Sequence, residues 1–201
     1  MTTKAKIAEQ VQRILEGGDV TRDDNRDIRE LMLSVGQVRD NLVYRSLMQQ
    51  FSADEWEIGS DYLASYTVTV TDEVATLPVT PLELMDNRGI YSVVYTNDPT
   101  LSVIPVNNTF QPLYRNLEAS HLEGRIGYKI LGKTLTLINT TTGGVPESLD
   151  VLMIPSGIDI DEDEDFPVPP EMVDMIIKEV VNLYQPRPHD DVNNLTQESA
   201  G

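Results

Sequence analysis

The chain of 201 residues contains no cysteine, only one tryptophan, three phenylalanines and two histidines. Without cysteine there is neither a disulfide framework nor a cysteine-ligated zinc or redox site. Basic residues are scarce as well: 15 Lys and Arg stand against 33 Asp and Glu, for a net charge of −18. That excess repels nucleic-acid phosphates and anionic headgroups, which argues against a sequence-reading DNA binder. No apolar run approaches membrane-spanning length, and the start MTTKAKIAEQ lacks the apolar core of a signal peptide, so a soluble product of intracellular synthesis is expected. Catalytic material is thin. His121 lies in a loop-like stretch beside Ser120 and His189 in a polar tail, and neither G-x-S-x-G nor H-E-x-x-H occurs. No enzyme, cofactor or metal requirement follows from these residues.

What is present is ordinary globular material, 40% hydrophobic and 24% charged, enough for one core or for one core with a helical appendage. Ile7, Ala8, Val11, Ile14 and Leu15 fall on one face at helical spacing before the Gly17-Gly18 stop. After a polar turn, with Thr21, Asp23 and Asp24 as possible N-caps, Ile28, Leu31, Met32, Val35, Val38, Leu42 and Leu47 continue a 3-and-4 spacing to about Gln50. These two segments predict an antiparallel helical hairpin. From Tyr62 the period changes to two. YTVTVT, GIYSVVYT, LSVIPV, IGYKIL, KTLTLIN and DVLMIP alternate as strands, separated by the turn-formers DNRG, NDPT, TTTGG and PSG. In FPVPPEMVDMIIKEVVNLYQPRP, Pro169 and Pro170 suit a helix start, Pro186 its end, and Val173, Ile176, Ile177, Val180 and Tyr184 make an apolar stripe.

The predicted class is therefore α+β: an N-terminal helical hairpin, a central antiparallel β sandwich or barrel and a C-terminal helix. The expected division is a helical module over 1–52, a β body over 60–157, an acidic linker and C-terminal helix packing with the helical module over 158–185, and a polar tail over 186–201.

Two stretches invite a sharper reading. GYKILGKT, from Gly127 to Thr134, fits the phosphate-loop pattern G-x-x-x-x-G-K-[ST]. A phosphate loop must open a helix, because the helix N-terminus helps bind the phosphates, whereas TLTLIN after Lys133 alternates as a strand. The expectation is a hairpin turning at Leu131-Gly132-Lys133. The acidic run Asp159, Asp161, Glu162, Asp163, Glu164 and Asp165 suggests calcium, but the sixth and twelfth loop places counted from Asp159 hold Glu164 and Pro170 rather than Gly and Glu. A solvated linker that favours the next helix's positive end is the simpler reading.

The segments Asn87-Arg-Gly-Ile-Tyr91, Tyr114-Arg-Asn116, Glu123-Gly-Arg125 with Gly127-Tyr128, and Phe166-Pro-Val-Pro-Pro-Glu171 before an apolar helix resemble the virion structural proteins of crAss-like short-tailed phages, among their head-to-tail connector or ring proteins. More distantly, the order of elements and the Phe-Pro-x-Pro entry are similar to the tail tubular protein A and adaptor family. The resemblance spans about residues 5–185 and none of its motifs is catalytic. It implies a non-enzymatic subunit of a homo-oligomeric, dodecameric ring in the virion neck. Such a ring would adjoin the portal protein and neighbouring tail or ring proteins, with the phage genome passing through without sequence-specific binding. Tyr184, Gln185, Pro186 and Arg187, at the exit of the last helix, are the candidate interface residues; a plain helix stop is the alternative. A receptor- or carbohydrate-binding β module would instead show an exposed aromatic cluster, for which Tyr62, Tyr66, Tyr91 and Tyr95 are candidates.

Overall fold

The computed structural model describes residues 2–17, 27–52, 58–84, 89–106, 125–140 and 144–185. Helix α1 (Lys4–Leu15) begins where the Thr3 hydroxyl accepts a hydrogen bond from the Lys6 amide at 3.4 Å, and it stops at Gly17, whose φ of +66° costs glycine little. Helix α2 (Ile28–Ser52) starts on Asp27, whose carboxylate accepts from the Arg29 amide at 3.0 Å. The proposed caps Thr21, Asp23 and Asp24 lie outside the described residues. Helix α3 (Pro170–Tyr184) places Pro170 at its first position, where the missing N–H costs nothing, and it packs on both α1 and α2.

Leu31, Val35, Val43 and Leu47 of α2 are wholly buried, as are Ile176 and Val180 of α3 and Ile7, Ala8 and Val11 of α1. Ile14 departs from the helical-face expectation: it is 54% exposed, and the α1 position taken inside is that of Lys4, one turn before Ala8. Among the described residues no helix is long and apolar enough to cross a membrane.

Seven strands follow: β1 (Ala64–Thr71), β2 (Val74–Thr76), β3 (Ile90–Tyr95), β4 (Ile104–Pro105), β5 (Gly127–Leu131), β6 (Thr134–Ile138) and β7 (Ser148–Met153), in the sheet order β3-β7-β1-β2-β6-β5-β4. β1 bends from one half of the sheet to the other, pairing with β7 through Thr69 and with β2 at Val70 and Thr71. A bridge between Val94 and Ser102 joins the two ends, with the Val103 amide 2.8 Å from the Val93 carbonyl, so the sheet is nearly closed into a barrel. The fold is thus the α+β arrangement of helical hairpin, β barrel and final helix. The expected antiparallel pattern has one departure: β4 and β5 run parallel, because a long connection rather than a hairpin joins them.

Two apolar cores result. Val68, Leu77, Val93, Leu135, Leu149, Val151 and Met153 fill the barrel, while the three helices close over Tyr62, Leu82, Leu84, Ile160 and Phe166. The chain changes cores between Met153 and Ile154, both fully buried, since successive residues of a strand point to opposite faces.

Candidate functional site

Among the described residues, the buried charged side chains meet where residues 155–167 leave the barrel and cross the helical module. Arg39, in the middle of α2, is fully buried. Its Nη1 donates to the Pro155 carbonyl at 2.6 Å and to Asp40 Oδ1 at 2.9 Å, while Nε and Nη2 reach the Pro167 carbonyl at 3.2 and 2.8 Å. The guanidinium also lies over the Phe166 ring, 5.8 Å from its centroid. Burial pushes its pKa down and Asp40 opposes that shift, yet a guanidinium stays charged in any protein environment. Asp40 is fully engaged too: Ser156 Oγ donates to Oδ2 and the Gly157 amide to Oδ1, each at 2.7 Å.

This crossing requires two glycines. A Cβ on Gly36 would sit 2.6 Å from the Gly157 carbonyl oxygen, and one on Gly157 would sit 2.9 Å from the Gly36 carbonyl oxygen. Helix backbone and crossing segment are therefore in direct contact, which is what lets Arg39 and Asp40 reach main-chain atoms on it. From the other side Lys4, 6% exposed, donates through Nζ to the carbonyls of Gly157 at 3.3 Å, Ile158 at 3.2 Å and Ile160. Burial lowers the Lys4 pKa, and Asp161, Asp159 and Asp40 act against it. A backbone bond from the Phe166 amide to the Thr2 carbonyl, 2.9 Å, completes the seam.

Asp159 fastens the same segment to the barrel. Its Oδ2 accepts from the Thr80 amide at 3.1 Å and the Thr80 hydroxyl at 2.5 Å, and lies 3.1 Å from Lys133 Nζ. The Thr80 hydroxyl, aided by Lys133, holds this carboxyl below its usual range. Lys133 is the lysine of GYKILGKT, and no helix follows it. Leu131 pairs with Thr134 across a two-residue turn with Gly132 at φ +57°, and β5 and β6 continue antiparallel from there. Its ammonium also donates to the Pro78 carbonyl at 3.0 Å. The lysine that a phosphate loop would use braces a β-hairpin.

The remaining sequence candidates are placed as follows. The Tyr184 hydroxyl lies 2.9 Å from Ser34 Oγ, inside the helical module, and Gln185 is exposed where its amide bonds to the Val181 carbonyl. Pro186, Arg187, His121 and His189 lie outside the described residues. The four tyrosines do not form one exposed cluster: Tyr62 is buried among the helices, Tyr66 and Tyr95 pack partly against the barrel core, and Tyr91 is exposed. Asp161 to Asp165 are exposed, and among the described residues no three acidic or imidazole groups converge on a metal-sized site.

Sequence reasoning missed Lys4, Gly36, Arg39, Asp40 and Gly157. The one local signal was Gly36, a glycine inside a strong helical pattern, which usually marks close packing against another segment. Chemically, the charged groups of Lys4, Arg39, Asp40 and Asp159 are taken up by main-chain, hydroxyl or ion-pair contacts, an arrangement that joins the helical module to the barrel. Compared with family models and with curated proteins, the chain matches none.

Proposed function

We infer that this chain is a non-enzymatic structural subunit of a phage virion, one copy in a cyclic ring of the head-to-tail connector between portal and tail. The observation that carries the reading is the rigid crossing. A helical module and a β barrel are locked by Arg39, Asp40, Lys4 and Asp159, so the two bodies present different surfaces at a fixed angle. A ring with head-to-tail contacts needs two unlike surfaces on each subunit, held in constant orientation so that the rotation closes. The charge of −18 supports it further, since a channel for DNA must not hold phosphates. Gln185, exposed at the exit of α3, remains a contact candidate, as do Pro186 and Arg187 beyond it.

The test is absolute quantitation of this chain against the portal protein in purified particles of the source phage. A one-to-one ratio or a small multiple supports the ring; absence from the particles defeats it.

A further inference from the structure

An open groove of about 600 Å³ runs between α1, α2 and the crossing segment. Part of its lining is apolar: Met32 is buried, but Leu33 and Ile158 leave 45% and 43% of their surface in water. Two large apolar side chains that line one concavity and stand nearly half bare gain from being covered.

Asp161, Glu162, Asp163, Glu164 and Arg29 line the same groove. None of these four carboxylates forms an ion pair among the described residues. Lys4, which also lines the groove, has its ammonium tied to the three carbonyls of the crossing segment. The groove therefore combines exposed apolar side chains with a net negative lining, the four carboxylates of Asp161, Glu162, Asp163 and Glu164 outnumbering the cations Lys4 and Arg29.

We propose that this groove docks a basic amphipathic segment of a different protein, one that sets an apolar residue on Leu33 and Ile158 and lysines or arginines against residues 161–164. The charge selects this occupant. A second copy of the chain would bring another −18 to a negative rim, whereas a segment rich in Lys and Arg is attracted and correctly oriented. The inference concerns the groove alone and does not depend on the ring reading.

Fluorescence anisotropy of the full chain with two labelled peptides tests it. One is a helical peptide with lysine on one face and leucine on the other; the second has every leucine replaced by serine. At physiological salt the leucine peptide is expected to bind at least about tenfold more tightly, from the apolar area it alone can bury. Leu33→Ser and Ile158→Ser should each weaken it about threefold to tenfold. Val145→Ser, which alters an equally exposed apolar residue near the barrel, should leave binding unchanged. Glu162→Gln with Asp163→Asn should weaken it and flatten its salt dependence.

Equal binding of the two peptides, or an equal loss with Val145→Ser, would overturn the proposal. So would self-association on sedimentation that Leu33→Ser abolishes, which would make the groove a contact between copies. Calcium binding that Glu162→Gln removes, without peptide discrimination, would make it a cation site instead.

Discussion

Replacing Gly36 by alanine sets two physical effects against each other in one residue. Alanine is the better helix former by about 1 kcal/mol, so on helix propensity alone Gly36→Ala stabilises α2. The added Cβ, however, would lie 2.6 Å from the oxygen and 2.8 Å from the carbon of the Gly157 carbonyl group, and 2.9 Å from the Ile158 nitrogen. All three are backbone atoms, so no side chain can rotate away. Either α2 or the crossing segment must shift by several tenths of an ångström or more, and overpacking of that kind costs about 1–3 kcal/mol. The shift also stretches bonds to charged groups, namely Gly157 to Asp40 at 2.7 Å and Arg39 to Pro155 at 2.6 Å. Losing one of them costs about 1.5–3 kcal/mol more. Net destabilisation of about 1.5–5 kcal/mol is expected after the propensity gain, a fall in Tm of about 3–20 °C for a chain of this size. Urea unfolding followed by circular dichroism measures it, with Gln37→Ala, the exposed neighbour, as a control expected within about 0.5 kcal/mol of the parent. A Gly36→Ala protein as stable as its parent, or more so, would refute the claim that close backbone approach fixes the joint.

The same joint predicts that Arg39→Met is destabilised by about 3–5 kcal/mol, because Asp40 and two carbonyls lose their buried partner; thermal unfolding reads this directly. Asp159 has a lowered pKa in the fold, so its contribution is present above the unfolded value near about 4 and is lost as pH falls through the folded value. Asp159→Asn should accordingly flatten the acid limb of the stability profile, and an unchanged limb would remove Asp159 from the account. Tyr128 behaves in the opposite sense: burial raises its pKa, so above about pH 10 the unfolded chain ionises first and stability falls by up to about 1.4 kcal/mol per pH unit. Tyr128→Phe should reduce that alkaline loss in pH-dependent urea titrations. In the β1–β2 turn Asp72 and Glu73 take φ of 51° and 66°, and Asp72→Gly should raise Tm by about 2 °C through relief of the left-handed strain.

Much of the architecture was legible because it is written in local period and turn chemistry. Alternation marked β1, β3, β5, β6 and β7, proline at the first position marked α3, and Gly132 marked the turn that separates GYKILGKT from a phosphate loop. β2 was not separated from its neighbour, because three residues carry too little period and the turn into it uses Asp72 and Glu73 instead of glycine. The parallel pairing of β4 with β5 depends on a connection whose path no local pattern specifies.

Apart from Gly36, a glycine within a helical pattern, nothing local in the sequence marked the joint. Lys4 on an amphipathic helix and Arg39 beside Asp40 look like solvated charges, and their partners lie more than 110 residues away in sequence. The sequence by itself determined which segments are helices and which are strands, because each segment's own period decides which face can be buried. Tertiary structure alone decided that Lys4 and Arg39 are buried and that they and the half-buried Asp40 are satisfied, because a charge can leave water only where the rest of the chain supplies oriented carbonyls and amides to receive it.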